Sequence, residues 1–237
     1  MKKILPPFLL VMALYSTGLA QNTISDPNVE VREAKNFQAI EISNAFDVYL
    51  SQGNEESVAV SASEIKYRDR IKVEVRGGVL IIRYDNNGKW NTANKRLKAY
   101  ISFKAINKLD VSGACDVYII DNWRAENLKI DLSGASNLTG KIDGQKLMVD
   151  LSGASDMTLS GTMGQLNIEA SGASGFKGYD MVVDYCDAKA SGASDIKITV
   201  NKELSAEASG ASDVNYKGSG LIRDVKTSGS SSISRRS

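Results

Sequence analysis

The sequence predicts an all-β fold, a parallel β-helix or β-solenoid of about 19–20 residues per coil with an N-terminal β-hairpin elaboration. Three observations predict it. A tetrapeptide of small residues recurs seven times at near-constant spacing. Around each copy, apolar and polar residues alternate with period two. The apolar positions also hold the same register from one copy to the next, as a stack of similar units requires.

The tetrapeptide is SGAS, with variants SGAC and SGSS, and its first serine falls at Ser112, Ser133, Ser152, Ser171, Ser191, Ser209 and Ser228. The spacings are 21, 19, 19, 20, 18 and 19 residues. Five before the marker stand Leu128, Leu147, Leu166, Cys186 and Leu204, and five after it Val117, Leu138, Met157, Phe176, Ile196, Val214 and Ile233. Each unit reads as two short strands with one apolar face, joined at SGA and closed by a second turn such as Asp143-Gly144. SGA is the expected corner, at Gly113-Ala114, Gly134-Ala135, Gly153-Ala154, Gly172-Ala173, Gly192-Ala193 and Gly210-Ala211. Glycine supplies a backbone conformation closed to other residues, and the alanine is expected to point into the tight inner angle. On that reading Leu151→Asp unfolds the domain, and Ala154→Leu costs about 1–3 kcal/mol by overfilling the corner. An antiparallel meander alternates similarly but has no need of one tetrapeptide in one register. A right-handed coil is expected, because parallel crossovers are overwhelmingly right-handed.

Residues 1–20 have the layout of a secretory signal peptide: Lys2-Lys3, an apolar run from Ile4 to Leu14, and Gly18-Leu19-Ala20 before the cleavage point. The run is short and broken by Pro6-Pro7, which argues against a membrane anchor, and no later stretch is expected to span a bilayer. Residues 21–35 are expected to be a linker. A β domain over 36–217 divides into 36–104, a first coil plus the hairpin elaboration, and 105–217, the SGAS coils. The first coil is centred on Ser43, with Ile40 and Ile42 before it, Ala45 at the corner, and Val48 and Leu50 after it. In the elaboration, Gly77-Gly78 joins "IKVEVR" to "VLIIRY" as a hairpin, residues 85–95 form a polar loop, and "LKAYISF" is a further strand. Residues 218–237 supply a last coil and a serine-rich tail.

These segments carry a resemblance. "FDVYLSQGNEESVAVSASEI", the Gly-Gly hairpin, "LKAYISF", "LDVSGACDVYII" and the SGAS series together resemble the putative auto-transporter adhesin, head GIN domain family of exported bacterial proteins, over residues 36 to 217. The resemblance implies an all-β, solenoid-like domain at the cell envelope (periplasm, cell surface or beyond) and a role in adhesion, binding or envelope structure. No translocator barrel is expected after the repeats, which run on into "SGSSSISRRS".

The residues narrow the chemistry. Histidine is absent, which excludes Ser-His-Asp and Cys-His nucleophilic sites and every His-ligated metal. Without Lys2 and Lys3 the chain has 27 basic and 28 acidic residues, so charge gives no reason to expect nucleic acid. No catalytic residue and no cofactor is assigned. Carboxylates recur two before the marker (Glu41, Asp110, Asp131, Asp150, Glu169) and four after it (Asp47, Asp116, Asp156, Asp195, Asp213), which stacks them in outward ladders. Their ordinary role is a solvated face. A Ca²⁺ site on Asp116, Asp156, Asp195 or Asp213 is the metal alternative. A carbohydrate hydrolase or lyase using Asp131 and Asp150 is the enzymatic one, although the ladder's uniformity speaks against it. Tyr49 and Tyr118 share an outward register and are expected to stack. With Asp131 and Asp150 they are the candidate contact surface for a glycan or an envelope protein, while the last strand edge could support self-association. Trp90 and Trp123 read as polar-loop residues. Cys115 and Cys186 stand four coil steps apart, near 19 Å, so both are expected to be unpaired thiols.

Overall fold

The structure, a computed structural model, describes residues 26–86 and 95–236. The expected signal peptide, Trp90 and most of the polar loop at 85–95 lie outside the described residues. The chain begins with β1 (Glu30–Arg32), β2 (Ala39–Ile42), β3 (Phe46–Gln52) and β4 (Ser57–Ser61), then one helical turn, α1 (Ile65–Arg68). The hairpin strands β5 (Ile71–Arg76) and β6 (Val79–Tyr84) follow, then β7 (Leu97–Phe103) and β8 (Lys108–Val111). Five long strands come next: β9 (Asp116–Leu132), β10 (Asn137–Leu151), β11 (Asp156–Ala170), β12 (Gly175–Ala190) and β13 (Asp195–Ala208). The chain closes with β14 (Asp213–Lys217), β15 (Leu221–Thr227) and β16 (Ser232–Arg235).

All sixteen strands belong to one sheet, wound as a β-solenoid of about 7 turns. From β9 to β13 every strand pairs in parallel with the next, and equivalent repeat positions are partners: Leu128, Leu147, Leu166, Cys186 and Leu204 form one column. That column and its neighbours are buried in one continuous core. Each Leu, Ile or Val removed from water this way contributes roughly 1.5–3 kcal/mol.

The corners are stacked. Each corner glycine from Gly113 to Gly229 has φ between +75° and +93°. From Ala135 onward each alanine N–H donates to the glycine carbonyl one coil back, as in Ala154 to Gly134 at 2.8 Å and Ala173 to Gly153 at 2.7 Å, while Ala114 donates to the Asn44 carbonyl. A Cβ on Gly153 would stand 2.4 Å from the Gly134 oxygen, so close approach demands glycine as firmly as φ does. Asn44 starts the column at φ +89°, and its Oδ1 accepts from the Tyr84 N–H.

The inner angle is filled differently from the expectation. Ala114, Ala135, Ala154, Ala173, Ala193 and Ala211 are exposed, and the residue after each is buried: Cys115, Ser136, Ser155, Ser174, Ser194 and Ser212. The buried serine turns its hydroxyl back to the carbonyl of the first serine in its own corner, as Ser155 Oγ does to Ser152 at 2.9 Å. Ala154→Leu therefore meets solvent and not a crowded angle, and the expected overpacking penalty is withdrawn.

Three further expectations are corrected. Residues 26–35 are not a plain linker, because β1 pairs antiparallel with β4. Nor does the elaboration project as a bare hairpin: β6 pairs parallel with β2, and β7 with β3, so the two add a coil outside the Ser43 coil. Antiparallel β5, β4 and β1 then cover that coil. Finally, no turn occurs at Asp143-Gly144, since β10 runs through it as one bent strand. Gly144 is needed there because a Cβ would meet the Ala125 carbonyl oxygen at 1.8 Å.

Candidate functional site

The outer face of the strands that follow the corners holds the most distinctive side chains. Alternation turns Tyr100 on β7, Tyr49 on β3 and Tyr118 on β9 outward, and the parallel register makes them direct neighbours. Tyr100 and Tyr49 stack at 5.1 Å with 13° between planes, and Tyr49 and Tyr118 at 5.4 Å with 21°. Stacking consumes ring faces. Tyr49 is covered on both sides, so it is not the free platform its register suggested. Tyr118 ends the stack and is 40% exposed. Tyr100 is held at the other end, its hydroxyl 3.4 Å from Asp26 Oδ2.

Beside the tyrosines run Asp47, Asp116, Asn137 and Asp156 in one column. Burial and the neighbouring Asp116 raise the Asp47 carboxyl above its ordinary range. Asn137 lies between two carboxylates and donates its amide to Asp116 Oδ1 at 2.8 Å. Asp156 has Lys177 at 3.6 Å, Asp195 pairs with Lys197, and Asp213 receives the Ser232 hydroxyl. Among the described residues no three His, Cys, Asp or Glu side chains come together to hold a metal ion. The four candidate metal ligands are thus spread along the axis with partners of their own.

Asp131 and Asp150 stand on the other flank of the coil, on strands that precede the corners. Lysines interdigitate with them: Lys129 Nζ lies 3.1 Å from Asp131 and 2.8 Å from Asp150, and Lys108 Nζ lies 3.4 Å from Asp131 and 3.2 Å from Asp110. This arrangement relieves the repulsion a bare ladder would carry. Burial raises Asp131 against the pull of Lys129. For Asp150 burial is the largest single influence and raises it, but the hydrogen bonds to Lys129 and Asp131 and the Lys129 charge together lower it overall. A glycosidase pair needs its sugar between two carboxyls, whereas here a lysine ammonium bridges them. This geometry does not favour Asp131 and Asp150 as that pair.

Trp123 is a residue the polar context concealed. It lies in β9 fully buried, its ring 4.8 Å from Phe103, and belongs to the core. The thiols of Cys115 and Cys186 are free and buried, and burial raises both above the ordinary thiol value. The strand register places Cys186 three steps from β9, not four, about 14 Å along the axis at the usual strand spacing. Exposed Tyr185 and Ile120, at 48% and 47%, had no distinguishing signal in the sequence.

Residues 36–220 match the family model described as putative auto-transporter adhesin, head GIN domain. Among solved structures, a putative adhesin from Bacteroides fragilis matches with a TM-score of 0.82 and 22% identity, over 88% of this chain and 96% of its own. A putative lipid binding protein from Parabacteroides distasonis gives 0.67 and 20% over 89% and 97%. A putative adhesin from the same species gives 0.71 and 14% over 88% and 96%. At these identities the likeness establishes the fold. Among curated proteins no match is found.

Proposed function

We propose, from the premise that this chain belongs to the putative auto-transporter adhesin, head GIN domain family, that it is an exported, non-enzymatic envelope protein whose outer faces form a contact surface. The observation that carries the reading is the exposure of Tyr118 and Tyr185, each paired on both strand edges, with exposed Ile120 beside Tyr118. Exposed aromatic and apolar groups on a preorganised scaffold are what a recognition surface requires, and little conformational freedom is lost when a partner binds. Export is supported by the layout of residues 1–20 and by the family. Among the described residues no helix is long and apolar enough to cross a membrane. The partner class favoured is a glycan or another surface protein.

Protease treatment of intact cells expressing the protein tests this reading. Cleavage at the cell surface, with a periplasmic control protein left whole, supports it. Full protection in intact cells together with digestion after the outer barrier is opened removes adhesion.

A further inference from the structure

We propose that the slot beside Tyr118 binds one pyranose ring of a neutral glycan. This inference deepens the contact-surface reading and rests on it. The outward column of the three tyrosines continues through Thr139 on β10, Thr158 on β11 and Lys177 on β12. Two short side chains thus follow three rings. Strands lie about 4.8 Å apart, so about 14 Å separates Tyr118 from Lys177, with only threonines between them. The next place in the stack is open, and one face of Tyr118 looks into it. The protein itself shows what fits there, since each earlier place in the column holds a planar ring at 5.1 or 5.4 Å.

The walls of the slot decide the chemistry of its occupant. Thr139 and Thr158 are exposed, and among the described residues their hydroxyls have no hydrogen-bond partner, their main-chain groups being taken up by the strand ladder. Asn137 keeps its amide oxygen as an acceptor beyond its bond to Asp116. Asp156 leans over Gly175, where a Cβ would lie 2.3 Å from its Oδ1, and Lys177 approaches it only to 3.6 Å. The far wall therefore offers one acceptor and one donor that are not tightly paired. A flat C–H face against an aromatic ring, with hydroxyls radiating toward hydroxyl, carboxylate and ammonium groups, describes a pyranose. An aromatic side chain from a protein partner would stack equally well but would leave those polar groups unanswered.

The test is saturation-transfer NMR on the purified protein, with the methyl glycosides of glucose, galactose, mannose and N-acetylglucosamine as probes and p-cresol as the aromatic control. At least one glycoside should receive saturation on its ring protons. Tyr118→Ala should weaken that binding roughly three- to tenfold, the effect of one lost stacking contact. Thr139→Tyr should abolish it by extending the protein's own stack into the slot, and because it repeats a pairing already present it should remain folded. Asp131→Asn, on the other flank, should leave it unchanged. The proposal is overturned if no glycoside receives saturation, if both slot variants bind like the parent, or if p-cresol alone binds. Because the assay uses isolated protein, its failure leaves the cell-surface result standing, and a periplasmic location leaves a positive NMR result standing.

Discussion

Replacing Gly153 with alanine and, separately, Ala154 with leucine sets the two halves of one corner against each other. Gly153 sits at φ +75°, and an added Cβ would lie 2.4 Å from the Gly134 carbonyl oxygen. The left-handed backbone costs an L-residue about 1–2 kcal/mol. To bring the contact beyond 3.0 Å the coils must part by more than half an ångström. That opening loosens the Ala154 to Gly134 and Ser152 to Leu132 hydrogen bonds, now 2.8 and 3.0 Å. Each contributes about 0.5–1.5 kcal/mol net. Together these give about 2–5 kcal/mol, which for a domain of this size lowers Tm by roughly 5–15 °C. The adjacent Ala154 side chain is exposed, so leucine there should change stability by no more than about 0.5 kcal/mol. Thermal melts followed by circular dichroism, with urea midpoints as a check, read both variants. If Ala154→Leu destabilises as much as Gly153→Ala, the alanine faces inward after all and the account of the corner is wrong.

The buried serine column makes a second prediction: Ser155→Ala should lose about 1 kcal/mol by freeing the Ser152 carbonyl, and Ser155→Cys less, since Cys115 already occupies an equivalent position with its thiol 3.5 Å from the Ser112 carbonyl oxygen. Urea denaturation of both variants measures it. Lys129 is raised by its hydrogen bonds to Asp150 and Asp131, so its contribution is fully present below the unfolded lysine value near pH 10.4 and is lost as pH rises through its higher folded value. Between about pH 10 and 12 the parent should therefore lose stability more steeply than Lys129→Met, and parallel melting curves would contradict this. Native protein should not react with a thiol reagent, whereas denatured protein should titrate two thiols, and a 115–186 disulfide on non-reducing mass analysis would contradict the separation of the two. Trp123→Ala should cost about 3–5 kcal/mol, because it empties a fully buried site against Phe103.

Period, register and the column of corners are legible in the sequence because each records a repeated main-chain event. The direction of the alanine was legible as well and was misread. The residue three after each marker shares parity with the buried residue five after it, and at the head of the series that position holds Phe46 and then Cys115. A position that turns apolar at one end of a column is the inward one, whereas smallness alone marks either side of a turn. Trp123 escaped for another reason. Alternation breaks in β9, where the pairing with β10 shifts between Thr139 and Lys141, and a local window reads "DNWRAEN" as a polar loop. The coil formed by β6 and β7 could not be ordered from the sequence. In space it stands outside the first coil, although it follows that coil in the chain.

The same columns suggest where function is recorded in such a fold. Main-chain bonds and inward side chains already join one coil to the next, so an outward column has no structural need for sameness. Columns that repeat a residue, such as the glycines of the corner or the leucines before it, answer to the backbone and the core. The column that begins at Tyr100 passes from rings through hydroxyls to the ammonium groups of Lys177 and Lys197 and then through Asn215 to Ser234. Stability does not ask for that gradient. A rigid lattice that holds unlike groups at fixed 4.8 Å steps can match a ligand presenting a ring at one end and polar groups along its length. On this reasoning the variable outward column, and not the conspicuous SGAS motif, is the place to look for what the protein recognises.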